Sequence, residues 1–460
     1  MKRIAFYIAI AAGVLLSSCS AVKQCKAPEL NLPATFGRGV ADTLTMADME
    51  WWKFYADSTL CSIISRTLDN NKNILAAASR VEQARQLYGI DKANLLPELS
   101  GRAYGNQETN DYYGEKHVTD PEYGLKATIS WEADLWGKLR WAKRKGLANY
   151  VASMEEERAM RITLIADVAS AYIRLMALEN ELTIVRRTLA TRQEGVKQAK
   201  LRFEGGLTSE TVYQQAKVEY ATAAALIPNL ERQIQTTKSS IALLMGEYAG
   251  TDIPVANFDI EAMLPDSLSI GIPSQLLQRR PDVCISEARL KAAMADVGIA
   301  YADRFPVLNF TVTGGLENNA LDHFFKSPFT YIAGTLAGPI FDFGRKQKKY
   351  KASIAAYDQA RYAYEQKVLE VFKETSDAVV TYTSIRQTAA LRVALREAAL
   401  KYVDLAHLQY RSGSINYIDV LDAQRRYFDA QIGVTNAVRD EYLSLIQLYK
   451  TLGGGWQIRH

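Results

Sequence analysis

Two carboxylates and two guanidiniums crowd one short stretch: Asp419, Asp422, Arg425 and Arg426 follow a break at Ser412-Gly413-Ser414. Ile418, Asp422 and Arg425 are spaced 4 and 3 apart, so on a helix they share one face. Asp422 is within reach of Arg425 or Arg426, which is ion-pair chemistry, worth a few tenths of a kcal/mol on an open helix surface. Asp419 stands three residues after Asn416, the place of a first-turn acid that closes a cap and meets the helix dipole. The four histidines (His117, His323, His407 and His460) have no second ligand at metal-binding spacing. The chain shows no nucleophile motif and no phosphate-cradling glycine loop. An enzyme, a metal site and a nucleotide-driven machine are therefore not expected, and energy for any work has to come from a partner.

What must position this cluster is a 460-residue chain with 48% hydrophobic and 23% charged residues, ordinary values for a folded protein. Its 55 basic and 51 acidic residues leave +4, no footprint for nucleic acid. Lys2 and Arg3 precede an apolar run from Ile4 to Leu16, which ends in Leu16-Ser17-Ser18-Cys19. Residues 1–18 read as a secretory signal. The ending resembles a bacterial lipobox, which implies cleavage before Cys19 and a covalent lipid on it. Cys25, Cys61 and Cys284 have no metal-like spacing and build no disulfide scaffold; Cys61 and Cys284 fall in helical patterns as small core residues.

The chain is written twice. "RVEQARQLYGIDKANLLPEL" from Arg80 returns as "RLKAAMADVGIAYADRFPVL" from Arg289, an offset of 209. Later the offset is 207: Gly137 with Gly344, Gly206 with Gly413, Gly246 with Gly453. Each copy reads as helix, strand pair, very long helix, turn, long helix. The first helices are expected at 59–96 and 274–304. In "LKATISWEA" Leu125, Ala127, Ile129, Trp131 and Ala133 alternate with Lys126, Thr128, Ser130 and Glu132; "LNFTVTGGL" alternates likewise. Segments 98–106 and 329–341 are weaker strands, and 107–121 and 319–327 are the hairpin tips. From Arg345 to Ser412 there is neither glycine nor proline, so a helix there reaches about 100 Å at 1.5 Å per residue. Val368, Phe372, Thr375, Val379 and Tyr382, then Leu391, Leu395, Ala398, Tyr402 and Leu405, repeat the 4-3 spacing of a coiled-coil seam. Pro228 is expected to bend its helix.

Four strands of roughly 9–11 residues are long enough to cross a bilayer but cannot close a barrel, and open edges do not persist in hydrocarbon. A membrane reading therefore demands oligomerisation; three copies give twelve strands. The alternative is a small soluble sheet whose apolar face packs on helices.

The chain resembles the TolC-like outer-membrane efflux factor family, in its lipoprotein (NodT/OprM-like) branch. The residues that carry this are "RRPDVCISEARLKAA" at 279–293, "FPVLNF" at 305–310, "PIFDFGRKQ" at 339–347, "IDVLDAQRRYFDAQ" at 418–431, "YKTLGGGW" at 449–456 and "WWKFYAD" at 51–57. The resemblance implies a mainly α fold with a transmembrane β-barrel. An internally duplicated homotrimer would form a twelve-stranded barrel continuous with a coiled-coil tunnel through the periplasm. It implies localisation in the bacterial outer membrane, and partners in outer-membrane lipid, a periplasmic adaptor and an inner-membrane RND pump. The function implied is the passive, gated exit duct of a tripartite efflux pump for drugs or other small molecules. An exit duct for type I protein secretion, and a lipid-anchored coiled-coil scaffold without a pore, are the alternatives. No cofactor is expected beyond the lipid on Cys19.

The expected layout is signal 1–18, anchored segment 19–58, first repeat 59–246 (strand pair 97–136, tip 204–209), belt linker 247–272, second repeat 273–453 (strand pair 306–344, tip 411–416) and tail 454–460. Gly206 and Gly413 supply the left-handed residue that ends a helix. Thr208 or Ser209, and Ser414 or Asn416, cap the next one. The resemblance assigns adaptor contact to Gly206, Leu207, Thr208, Gly413, Ser414 and Ile415. It assigns the periplasmic aperture to Ile418, Asp422 and Arg425, with Arg426 as the other partner of Asp422, within or across chains. Gln215 stands in the first copy where Asp422 stands in the second, so only the second hairpin carries an ionic latch.

Overall fold

The computed structural model describes residues 25–30, 32, 46–55, 57–111, 113–114, 118–255 and 273–456. Cys19, the signal segment, most of the anchored segment and residues 256–272 and 457–460 lie outside the described residues. The helices are α1 (Trp51–Phe54), α2 (Ser58–Asn70), α3 (Lys72–Ala93), α4 (Lys138–Glu204), α5 (Glu210–Leu244), α6 (Pro273–Arg279), α7 (Pro281–Ala302), α8 (Arg345–Arg411) and α9 (Tyr417–Thr451). The strands are β1 (Glu98–Asn110), β2 (Val118–Ala133), β3 (Val307–Asn318) and β4 (Pro328–Ala337). Contacts divide the chain into two units, one holding 79–155 and 285–367, the other 156–284 and 368–456, with residues 25–30 in the first and 46–78 in the second.

The first unit holds the sheet, antiparallel throughout in the order β1-β2-β3-β4. The ladder puts Leu99 opposite Ile129, Ile129 opposite Val312 and Val312 opposite Ile332, so the apolar residues of all four strands share one face. Among the described residues no helix covers that face: Leu125, Ile129, Phe310, Ile332 and Leu336 are all exposed. The soluble-sheet alternative is thereby removed. The first hairpin runs further than expected. Gln107 pairs with Pro121 and Asn110 with Val118, within what the polar composition of 107–121 marks as loop. Pro121 is tolerated because the β2–β3 ladder starts only at Tyr123, so β2 has a single neighbour there.

The second unit shows the duplication in its corners. The expected helices at 59–96 and 274–304 are each broken in two. At the first break Asn71 is extended, its Oδ1 accepts from Asn73 N at 2.9 Å, and its Nδ2 donates to the Leu244 carbonyl at 2.7 Å. At the second, Pro281 starts a new helix, and Arg280 donates to the Thr451 carbonyl at 3.1 Å and to Glu374 at 2.6 Å. The offsets of 209 and 207 carry Asn71 to Arg280 and Leu244 to Thr451, so one corner is built twice with different donors. Cys61 is buried and Cys284 half-buried. Pro228 lies inside α5, which continues through it.

Helix α8 runs unbroken over 67 residues. Of the expected seam, Val368, Thr375 and Tyr382 are buried. Leu391, Leu395, Tyr402 and Leu405 are exposed instead, and the buried line along this end of α8 is Ala389, Ala399 and Ala406. The helix therefore carries two apolar stripes, a narrow one filled by its own chain and a leucine-rich one left open.

Candidate functional site

Two helical turns build the tips. Gly206 has φ 72° and Gly413 φ 78°, the left-handed region that a Cβ disfavours. Leu207 N donates to the Arg202 carbonyl and Gly206 N to that of Phe203; Ser414 and Gly413 repeat this onto Gln409 and Tyr410. These are paired Schellman closures, as the glycines predict. The caps that follow are Ser209 and Asn416, not Thr208 or Ser414. Asp419 turns back so that its Oδ2 accepts from Asn416 N at 3.0 Å, the capping role its spacing suggests. Leu207 is exposed, Thr208 and Ile415 are half-buried, and Ser414 is exposed. Ile415 packs on a small core of Ala406, Val420 and Ala423 together with Val403, Tyr410 and Tyr417.

Past this cap the charged turn is assembled within one helix. Asp422 Oδ1 accepts from Arg425 Nη2 at 2.5 Å, and Asp422 Oδ2 from Arg426 Nε at 2.7 Å. The carboxylate is half-buried and both guanidiniums are more than half exposed. The Arg426 hydrogen bond, aided by both positive charges, holds the Asp422 carboxyl below its ordinary value. One acceptor thus serves two donors, and Ile418 lies exposed a turn earlier.

Sequence reasoning missed what holds this helix in place. Arg192 of α4 is buried, with its guanidinium bonded to the Glu219 carbonyl at 2.7 Å and paired with the Glu219 carboxylate at 3.1 Å. It also lies over the ring of Phe428 in α9. Burial pulls the Arg192 pKa below its usual value, with Glu219 acting against that pull. The available signal was heptad spacing: Val185, Arg192 and Ala199 recur every seven residues, and all three are buried. A second seat is Gly195, where an added Cβ would stand 3.1 Å from the Tyr417 hydroxyl. Tyr417 also meets the ring of Tyr410 in α8 at 5.3 Å, and the Tyr410 hydroxyl accepts a hydrogen bond from Arg202 of α4 at 2.5 Å.

On the other unit, the polar face of the sheet carries Lys126, Thr128, Ser130 and Glu132, as the alternation predicts. Tyr104 lies across Gly124, where a Cβ would meet its ring at 2.3 Å, and its hydroxyl sits 3.0 Å from Glu122 and 2.9 Å from Glu317. On the apolar face Trp131 stacks on Phe310 and donates from its indole to the Leu95 carbonyl at 3.1 Å, the half-wet setting of an interfacial aromatic. Among the described residues, no helix is long and apolar enough to cross a membrane.

The family model of outer membrane efflux proteins matches residues 63–247 and 272–454. A probable efflux pump outer membrane protein, SepC of Pseudomonas putida, is 29% identical over 467 residues, covering 98% of this chain and 97% of that protein. The outer-membrane channel OprN superposes with a TM-score of 0.85 at 26% identity, over 94% of this chain and 99% of that one. The open-state MtrE outer membrane channel of Neisseria gonorrhoeae gives 0.84 at 26% identity, over 95% and 99%. A duplicated chain with an uncovered apolar sheet and 67-residue helices matches these channels along nearly its whole length. It belongs to the outer membrane efflux protein family and is an outer-membrane channel of the efflux type.

Proposed function

We propose that the protein works as a homotrimer, the passive exit duct of a tripartite RND-type pump, and carries drugs or other small molecules received from an adaptor and an inner-membrane pump. The observation that carries this is the sheet. It is apolar on one face and polar on the other, and among the described residues β1 and β4 have no strand on their outer edges. Bare edges in hydrocarbon cost several kcal/mol for each unpaired group, and three such sheets closed on each other remove them all. The open leucine stripe of α8 supports the same assembly, because a helix with two apolar stripes has two neighbours to meet.

In this reading Ile418, Asp422, Arg425 and Arg426 narrow the periplasmic mouth. The Arg192 seat keeps α9 close to α4, and the tips around Gly206, Leu207, Thr208, Gly413, Ser414 and Ile415 receive the adaptor. Opening then requires the partners to favour a wider arrangement by their differential binding.

Cys19 is the lipid anchor in this proposal. The Lys26 carbonyl accepts from Tyr357 and Glu29 N donates to Glu365, so residues 26 to 29 run along α8 away from its start. Seven residues separate Lys26 from Cys19, a reach of at most about 25 Å.

Deleting the gene should raise cellular accumulation of a fluorescent dye, and restoring it should lower it again. Purified protein should run as a heat-dissociable trimer in detergent and give small conductance in a planar bilayer. Unchanged dye levels together with a monomeric, non-conducting protein would overturn the proposal.

A further inference from the structure

The polar face of the sheet carries charges of both signs that stay apart. Arg102 and Lys126 lie directly opposite each other in the β1–β2 ladder. Like charges so placed repel and weaken the pairing of their strands. Among the described residues neither finds an acid to offset this. Both charged heads meet one aromatic ring, that of Tyr104, with the Arg102 guanidinium 5.3 Å and the Lys126 ammonium 4.7 Å from its centre. Carboxylates are near all the same. Gly315 is the partner of Lys126, and Glu317 follows it by two residues. Lys126 and Glu317 are therefore diagonal neighbours, about 7–8 Å apart.

Tyr104 keeps them from pairing. Its ring lies across Gly124, the residue that leaves room for it, and its hydroxyl sits 3.0 Å from Glu122 and 2.9 Å from Glu317. The ring is a wall, with two cations over its faces and two carboxylates at its hydroxyl end. A phenol carries one hydrogen, so only one of the two carboxylates receives it and the other is left short of a donor. The sheet thus holds two cations without an acceptor beside a carboxylate without a donor.

We propose that this patch is a station for amphoteric small molecules in transit, in which Arg102 and Lys126 take the carboxylate of the solute while Glu122 and Glu317 take its ammonium group. The inference rests on the exit-duct reading above, in which the polar face lines the interior, and it names a substrate class for that duct. Every residue of the station belongs to the sheet of one chain. A solute with a single charge is attracted by one half of the patch and repelled by the other. A solute with both signs at this spacing is attracted by each, through charge-assisted hydrogen bonds. Arg102 and Glu317 are exposed, and Lys126 and Glu122 half-buried, so water competes at every contact. The hold is accordingly weak, which suits a passage that must admit a solute and release it.

The test uses purified full-length protein in detergent at neutral pH and three probes of one size. These are 4-(aminomethyl)benzoate, which carries a carboxylate and an ammonium at opposite ends of a ring, 4-methylbenzoate and benzylamine. Binding read by saturation-transfer NMR should be about tenfold tighter for the first than for either of the others. Arg102→Gln/Lys126→Gln and Glu122→Gln/Glu317→Gln should each weaken the amphoteric probe about tenfold, whereas Lys348→Gln, outside the sheet, should leave it unchanged. The Arg102→Gln/Lys126→Gln protein should also unfold at the same or a higher temperature, because a repulsive pair is gone; a merely structural role would lower it. If a double variant fails to fold, the single changes Arg102→Gln and Glu317→Gln carry the same comparison. Equal affinity for the three probes, or an amphoteric affinity indifferent to these changes, overturns the station. Loss of dye export on gene deletion together with no binding overturns the station alone; binding as expected in a protein that neither conducts nor exports dye overturns the duct.

Discussion

The Arg192 guanidinium lies 5.0 Å from the centre of the Phe428 ring while bonding both the carbonyl and the carboxylate of Glu219. One side chain of α4 therefore holds α5 through charge and α9 through an aromatic face. Removing one partner of a buried ion pair strands the other, at a cost of about 3 kcal/mol. Arg192→Met is expected to lower the unfolding free energy by that order, read as a lower urea midpoint at unchanged slope. Adding Glu219→Gln should return part of the loss, read as a coupling in a double-mutant cycle. Arg192→Lys should fall between, because a lysine cannot serve three contacts with one planar group. If Arg192→Met unfolds like the parent, the residue is not a seat for α9.

Asp422 is the shared acceptor of Arg425 and Arg426. Asp422→Ala is therefore expected to raise single-channel conductance more than Arg425→Ala or Arg426→Ala, each of which leaves one bond in place. Thermal stability should hardly move, since exposed pairs of this spacing contribute little. Equal conductance of all three variants and the parent in folded trimers would remove the latch.

The pH dependence follows from the same carboxylate. Its folded-state pKa is held below the ordinary aspartate value, first by the Arg426 hydrogen bond. A depressed carboxyl contributes its interaction above the unfolded pKa and loses it as pH falls through the folded value. Conductance controlled by Asp422 should stay flat from pH 8 to about pH 5 and rise only below about pH 4. A rise near pH 6 would point to another group.

Gly246 and Gly453 close α5 and α9 with φ of 75° and 81°. An added Cβ would stand 2.6 Å from the Asn70 carbonyl oxygen at the first and 3.0 Å from the Arg279 carbonyl oxygen at the second. Gly246→Ala should cost about 1–2 kcal/mol from the left-handed backbone alone, and more from the displaced carbonyl. Gly453→Ala should cost less than Gly246→Ala because its neighbour is further away. Denaturant midpoints of the two variants, compared side by side, check the order.

Much of this architecture is legible because it rests on local rules. Gly206 and Gly413 announce left-handed turns, and the alternation through Leu125 and Ile129 announces a two-faced strand. The pairing of Asn110 with Val118 is not legible, since polar residues on a solvent-facing ribbon look like loop until a partner strand is known. The breaks at Asn71 and Arg280 hide inside helical periodicity, because the reason for each is a carbonyl far along the chain. The seam on α8 illustrates the same limit. Spacing identifies Leu391, Leu395, Tyr402 and Leu405 as a stripe but cannot say whether their neighbour belongs to the same molecule. Arg192 is the hardest case. An arginine in a long amphipathic helix reads as solvated, and only Glu219 and Phe428, brought in from two other helices, make it interior.

The two bare margins of the sheet also bear on how the protein is made. Before it meets its siblings, a newly exported subunit displays ready templates for strand addition beside a greasy surface, the combination that drives aggregation. Such a polypeptide needs an escort across the aqueous compartment and has every reason to assemble quickly, so shortage of periplasmic chaperones should cut the yield of finished ducts well before it harms self-contained neighbours.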